Sequence, residues 1–273
     1  MRYSVLHNVP RVSVKLCDYR LVDPNPDFVL SLARGLQVIE AFHGAQEGLA
    51  VSEVAQRTAL SRAAVRRLLI TLEMLGYAER RGSSFLLTSR ILRLGFSFLT
   101  SDSLARQAGL VLEQLSRRIH ESCSVSILDG SQIVYVARSA PRRVMTIDLG
   151  VGSRLPAYCT SMGRVLLAAL PEEQIETYLR KTKLSAWTPK TVTDRRRLRR
   201  LLVGVRAHGY ALVDEELELG LRSIAVPVTS QSGRIVAAMN SGVSAARVRR
   251  STMMEQILPA LKEHAHRLGQ MLA

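Results

Sequence analysis

Two apolar stripes separated by a two-residue break constrain this chain more than any other feature. In residues 51–75, VSEVAQRTALSRAAVRRLLITLEML, Val51, Val54 and Ala55 recur at helical spacing. After Ala59-Leu60 a longer stripe of the same period runs through Val65, Leu68, Leu69, Leu72 and Leu75. Ser61 stands where an N-cap hydroxyl accepts from a first-turn amide. If the stripe faces a core, the start of the second helix presents Arg62, Ala63, Arg66 and Arg67 on its other face. That is the layout of a helix-turn-helix, whose second helix enters the major groove N-terminus first. Ala63 permits close approach, and the arginines suit guanine edges or phosphates. A solvated basic surface helix has the same composition, so the flanking sequence must decide.

The flanks favour the DNA reading. Gly76 follows the last periodic residue, as a helix-ending glycine should. The next stretch, AERRGSSFLLT, reads as a hairpin turning at Gly82-Ser83, with Arg80 and Arg81 just before the tip. A basic hairpin directly after a recognition helix is a wing, a second phosphate-contacting element. Upstream, SLARGLQVIEAF supplies a further helix, expected to turn Leu32, Leu36 and Ile39 inward, with Val38 and Phe42 as additional candidates. Residues 28–89 therefore read as a winged helix-turn-helix.

A chain of 273 residues has room for a second domain with its own core. Its net charge of +15 suits an anionic partner, although many basic proteins bind no nucleic acid. No stretch approaches the roughly 18 unbroken apolar residues of a membrane span. The first residues show no secretory pattern. The cysteines, Cys17, Cys123 and Cys159, are odd in number and widely spaced. That points to a reducing cytoplasm and away from a disulfide framework or a zinc ribbon.

Residues 1–27 have no sustained period and read as a disordered, dispensable arm. Residues 90–103 carry Ile91, Leu94, Phe98 and Leu99 at helical spacing. This linker helix is expected to join the domains and to pack on a second subunit. Residues 104–273 open with a helix through Leu104, Ala108, Val111, Leu112, Leu115 and Ile119. The period then changes to two in SCSVSIL, QIVYVARS and RRVMTIDLG. RLPAYCTSMGRVLLAALP reads as loop into helix, followed by helices in EEQIETYLRKT and DRRRLRRLLVGVRAHG. The arginines of that last helix read as a solvated outer face. YALVDEE, RSIAVPVTS and RIVAAMNSG are strands, and 247–272 is a closing helix. The fold class is α+β, with one mixed or antiparallel sheet in the second domain.

At this point the chain resembles a known family. RGLQVIEAF and LSRAAVRRLLITLEMLGYAERRGSSFLLTSRILRLG resemble the DNA-binding half of the IclR family of bacterial transcription regulators. RLPAYCTSMGRVLLAALP, HGYALVDEELELGLRSIAVPV and RIVAAMNSG resemble its effector-binding domain. The likeness spans residues 28–270. The wording of LSRAAVRRLLITL, LPAYCTSMGRVLLA and GLRSIAVPV is similar to the branch controlling protocatechuate, 4-hydroxybenzoate and β-ketoadipate catabolism, often as activators. The resemblance implies a GAF-like sensor with a curved sheet and a pocket beneath the helix that starts near Thr160. It places ligand contacts at Ser161, Met162, Ser223 and Ser241, with Met145 and Leu155 as apolar wall. A polar family position falls here on Val213, beside Asp214, and that departure leaves Asp214 without an assigned role.

The residues give such a pocket physical sense. A helix N-terminus carries unpaired amides and partial positive charge, which favour a small carboxylate. Thr160 and Ser161 add hydroxyls there, Gly163 leaves the first turn uncrowded, and Cys159 and Met162 supply adaptable wall. Asn240 and Tyr158 are further candidate partners for a phenol or carboxylate. Against this, Ser and Thr at a helix start are commonly caps alone, and small strand residues commonly serve tight packing. Enzyme chemistry finds no support. Cys159 near a helix start would need a base, and His120, His208, His264 and His266 are scattered. No phosphate-cradling loop, HExxH or GxSxG occurs. No catalytic residue, metal site or cofactor is expected. The partners expected are double-stranded operator DNA, a small carboxylate effector, a second copy as a homodimer or dimer of dimers, and RNA polymerase. The alternative is a repressor of the same family sensing a non-aromatic keto or hydroxy acid.

Overall fold

The computed structural model describes residues 27–45, 47–95, 103–140 and 149–273. They fall into two compact units, one within Met1–Phe98 and one within Leu99–Ala273. The arm at 1–26, Met145, Phe98 and Leu99 lie outside the described residues.

The first unit contains α1 (Leu30–Glu40), β1 (Leu49–Ala50), α2 (Val51–Thr58), α3 (Arg62–Met74), β2 (Ala78–Arg81) and β3 (Ser84–Leu87). The strands form an antiparallel sheet in the order β1-β3-β2. The break between α2 and α3 turns on Ala59, held in the left-handed region at φ 55°. Ser61 then caps α3, its Oγ accepting from Ala64 N at 3.2 Å. Val65, Leu69 and Leu72 on α3 meet Val38, Phe42, Val54 and Phe85 in one core.

α1 departs from its expected phase. Leu32 and Leu36 are 62% and 44% exposed, while Ala33, Val38, Ala41 and Phe42 are buried. The helix is apolar on two sides, so spacing alone does not choose between them. Polar contacts fix the choice: Gln37 Nε2 donates to Thr58 O at 2.9 Å, and Arg57 Nη1 donates to Ala41 O at 2.8 Å. Both tie the Gln37–Ala41 side of α1 to α2. Of the linker stripe, Ile91 is half-buried and Leu94 is exposed.

The second unit contains α4 (Ser103–Ile119), β4 (Ser122–Asp129), β5 (Gln132–Ser139) and β6 (Arg154–Pro156). α5 (Ser161–Ala168), α6 (Glu172–Lys181) and α7 (Arg195–His208) follow, then β7 (Ala211–Asp214), β8 (Leu221–Thr229) and β9 (Ile235–Ser244). Arg250–Thr252 and a π-helical turn at Met253–Ile257 lead into α8 (Leu258–Gln270). The six strands form one sheet in the order β6-β5-β4-β9-β8-β7, and every described pairing is antiparallel. β6 lies in a stretch expected to be loop. The strand expected in RRVMTIDLG falls largely on residues outside the described set.

Each face of this sheet is covered. α4 and α8 pack on one side, against Cys123, Val125, Ile224, Val226 and Met239. α5, α6 and α7 pack on the other, against Ile133, Tyr135, Ala225 and Ala238. A sheet covered on both faces needs apolar residues on both, and β8 and β9 comply over 224–226 and 237–239. β4 does not. Its alternation sends Cys123 and Val125 to the α4 side and leaves Ser122, Ser124 and Ser126, all buried, on the α5 side. A row of buried hydroxyls on one face of a central strand has to serve something polar.

α5 approaches the chain before it closely. A Cβ added at Gly163 would stand 2.1 Å from Ala157 O, which is backbone and has little freedom to yield. Gly163→Ala is therefore expected to destabilise the unit by about 1–3 kcal/mol through overpacking. Urea denaturation checks this, and an unchanged midpoint would contradict the close approach.

Candidate DNA-binding surface and effector pocket

On the first unit, Arg62, Ala63, Arg66 and Arg67 are exposed along α3, opposite its buried stripe. The hairpin β2–β3 places Arg80 and Arg81 beside a tip that turns at Gly82, φ 60°. The two wing arginines differ. Arg80 lies over the Phe85 ring at 5.3 Å, which holds its guanidinium against the hairpin. Arg81 pairs with Glu79 at 2.7 Å on an exposed surface, a contact contributing about 0–1 kcal/mol.

On the second unit, a small pocket lies between the first turn of α5 and the sheet. Ser122, Ser124, Ser223, Asn240 and Gly242 form its floor, from β4, β8 and β9. Tyr135, Leu149, Val213, Leu217 and Leu221 form apolar and aromatic wall, and Cys159, Thr160, Ser161 and Met162 close it from α5. Arg138 lines it from β5, with Nη1 donating to Ser124 Oγ at 3.3 Å.

The hydroxyls at the α5 start divide in function. Thr160 is the cap: its Oγ1 accepts from Gly163 N at 3.2 Å and donates to Pro156 O at 3.1 Å. Ser161 is different. Its side-chain oxygen is buried and has no hydrogen-bond partner among the described residues. Met162 Sδ accepts from Ser126 Oγ at 3.2 Å, which draws the third β4 serine into the wall. Burial pushes the Tyr135 hydroxyl up to about 12, so it stays a neutral donor at physiological pH. Burial also pushes the Cys159 thiol up to about 12. The helix start therefore makes no thiolate of Cys159.

Of the expected effector residues, Thr160, Ser161, Met162, Ser223 and Asn240 come together around this cavity. Leu155, Gly163 and Ser241 do not line it. Leu155 sits on β6 opposite Ile133, within the core beneath α5 and α6. Gly163 faces the Ala157 backbone. Ser241 sits opposite Cys123 across the β4–β9 pair, on the side of α4 and α8, because it is one residue out of phase with Asn240 and Gly242. Asp214 also points away from the cavity and pairs with Arg222 at 2.8 Å. Tyr158 is used elsewhere: its hydroxyl donates to Ser185 O at 2.6 Å and accepts from Ser185 N at 3.1 Å and Trp187 Nε1 at 2.9 Å.

Sequence reasoning missed Arg138, as it missed Ser122, Ser124 and Tyr135, and for Arg138 a bulge explains why. Ser126 pairs with Tyr135 and Val125 with Ala137, so Val136 is an extra residue in β5. The phase of the strand flips there. Strict alternation puts Tyr135 and Arg138 on opposite faces; the bulge puts both on the cavity side. Ser122 and Ser124 had a visible signal in the alternation SCSVS.

A buried ion pair braces this region. Arg164, on α5, meets Glu216 through both guanidinium amines at 2.7 and 2.6 Å, with both side chains almost fully buried. Arg164 Nε donates to Tyr158 O at 2.9 Å, and Glu216 accepts from Val192 N at 3.0 Å. The pair therefore joins α5, the 185–192 connector and the segment carrying Leu217. Tyr158→Phe would leave Ser185 N and Trp187 Nε1 unpaired in the same brace, at an expected cost of about 1–3 kcal/mol. Denaturation of the variant tests this, and a loss below about 0.3 kcal/mol would mean solvent replaces the phenol.

Comparison with known proteins decides what these two sites belong to. Residues 31–82 match the IclR helix-turn-helix domain, and residues 96–270 match the bacterial transcriptional regulator IclR C-terminal domain. The chain belongs to the IclR family. Its members are transcription regulators, not enzymes, and their helix-turn-helix domain implies DNA binding. Among IclR-family relatives, the Pca regulon regulatory protein of Pseudomonas putida is 45% identical over 238 residues, covering 87% of this chain and 82% of that protein. The p-hydroxybenzoate hydroxylase transcriptional activator of Acinetobacter baylyi is 39% identical over 251 residues, covering 90% and 93%. The crystal structure of an IclR homolog complexed with 4-hydroxybenzoate, from Microbacterium hydrocarbonoxydans, superposes with a TM-score of 0.75 at 27% identity, covering 89% and 98%. No helix among the described residues is long and apolar enough to cross a membrane.

Proposed function

We propose that this IclR-family regulator activates an aromatic-acid catabolic operon in the cytoplasm, switched by a small aromatic carboxylate bound beneath α5. The observation that carries the reading is the cavity itself. It is walled by Tyr135, Val213, Leu217 and Leu221, and among the described residues it holds one cation, Arg138, with several hydroxyls. A small aromatic acid has the matching parts: one anionic end, one flat apolar ring and ring hydroxyls. The relatives named for the pca regulon and for p-hydroxybenzoate hydroxylase, and the homolog bound to 4-hydroxybenzoate, support the same class.

On the DNA side, Arg62 and Arg66 read bases from α3 while Arg67, Arg80 and Arg81 grip backbone. Ser61 fixes the helix start, and Ala63 lets it approach the groove. One such head covers few base pairs, so the operator is a near-palindrome bound by paired copies. The exposed side chains of Val29, Leu32 and Leu36 at α1, together with Leu94, offer apolar surface for that pairing. As an activator the assembly meets RNA polymerase at the promoter. Calorimetry of the full chain with protocatechuate, 4-hydroxybenzoate and β-ketoadipate tests the effector class. Saturable binding of at least one, with a raised melting midpoint, is expected. No binding of any of the three at millimolar concentration would overturn it.

A further inference from the structure

We propose that the effector's carboxylate is held on β5 and β4, by Arg138 with Ser124 and Tyr135, and that Ser161 on α5 receives a neutral ring hydroxyl. This rests on the aromatic-acid reading and fixes which end of the ligand goes where. It reverses the orientation that the helix N-terminus alone would suggest.

Charge is the first ground. Arg138 is the sole formally charged side chain lining the cavity among the described residues, and it brings a full unit of charge. A helix N-terminus offers the equivalent of about half a charge, and here Thr160 already satisfies one first-turn amide, that of Gly163. A carboxylate entering a partly dry cavity goes to the stronger, donor-rich pole, where a guanidinium can meet both of its oxygens.

Placement is the second ground. The bulge at Val136 puts Arg138 and Tyr135 on one face, and register puts Ser124 directly across from Arg138. Asn240 is next in the same row, since it pairs with Ser124 from β9. Arg138 and Asn240 are thus two strand spacings apart, about 10 Å between backbones. The ring then lies along this row, with its acid group at β5 and an oxygen on its far side towards β9 and α5. Tyr135, held neutral by burial, is a donor for the anionic end.

The third ground is Ser161. A buried hydroxyl without a partner is costly, and nothing among the described residues relieves it. A ligand hydroxyl is a neutral group that can both donate to it and accept from it. A ring bearing an acid on one side and a hydroxyl opposite satisfies Arg138 and Ser161 at once; unsubstituted benzoate satisfies only Arg138.

Calorimetry on the full chain separates the two orientations, with 4-hydroxybenzoate, benzoate and 4-hydroxybenzamide as probes. Arg138→Gln is expected to weaken 4-hydroxybenzoate about 30-fold or more and to change 4-hydroxybenzamide by less than about threefold. Arg138→Lys should recover part of the loss, because it keeps the charge without the planar fork. Ser161→Ala should weaken 4-hydroxybenzoate about tenfold and leave benzoate unchanged. Melting midpoints show whether each variant is folded; if Arg138→Gln is not, Arg138→Lys against the same probes carries the comparison. The subsite is overturned if the Arg138 variants bind 4-hydroxybenzoate within about threefold of wild type while Ser161→Ala discriminates acid from amide. In that case the aromatic-acid reading stands. No binding of 4-hydroxybenzoate or protocatechuate to the wild-type chain overturns both.

Discussion

Arg164→Met should destabilise the effector-binding unit by about 3–5 kcal/mol, the cost of leaving Glu216 buried and unpaired. The guanidinium meets both carboxylate oxygens at 2.7 and 2.6 Å, and each group makes a further bond, Arg164 Nε to Tyr158 O and Glu216 Oε2 from Val192 N. Removing one partner therefore loses the attraction and keeps the desolvation. Replacing both, as in Arg164→Met with Glu216→Leu, should recover most of the loss, because well-packed apolar groups avoid the buried charge altogether. Urea denaturation of the two single variants and the double closes a mutant cycle. Additive losses would mean the two side chains are not coupled. The pair also bears on function, since it positions Leu217 and the first turns of α5 around the cavity. The single variants should lose effector affinity, and the double should regain stability more fully than it regains binding.

The second large effect concerns the two basic elements of the DNA-binding unit. Arg62→Ala with Arg66→Ala should cost about 2–6 kcal/mol of operator affinity, and each alone should relax preference at its own base position. Arg80→Ala and Arg81→Ala should instead weaken all sequences alike and flatten the salt dependence. Arg81 should matter less than Arg80, because Glu79 already offsets its charge. Binding to operator and scrambled duplexes over a range of salt makes the distinction. Equal, sequence-independent losses for all four arginines would refute it.

Local chemistry made much of this protein legible in its sequence. The helix-turn-helix could be read because each device is short-range: the Ser61 cap, the Val65–Leu69–Leu72 stripe and the Gly82 turn lie within a few residues of what they control. The order of helices and strands in the second unit could be read from period changes, and the family from motifs spread along the chain. What failed was phase. α1 is apolar on two sides, and only contacts from α2, such as Arg57 to Ala41 O, select the buried one. Ser241 shares its strand and its chemistry with Asn240, yet a one-residue offset sends it to the opposite face. Arg138 was hidden by a bulge that no residue pattern announces. The Arg164–Glu216 pair joins residues 52 apart in sequence, and nothing local to either marks the partner. The floor of the pocket was accordingly only partly visible, whereas its helix start was not in doubt.

A ligand can act on DNA binding only through different affinities for two arrangements of the protein. Footprinting of the full chain on operator DNA, selected from random sequence, with and without saturating 4-hydroxybenzoate or protocatechuate, tests that coupling directly. The expected result is a two-fold symmetric footprint whose occupancy or pattern changes with the acid. An occupancy effect should correspond to a shift of about 5–150-fold in operator affinity. A footprint identical in strength and pattern with and without an acid that calorimetry shows to be bound would contradict the account of this chain as an effector-switched regulator.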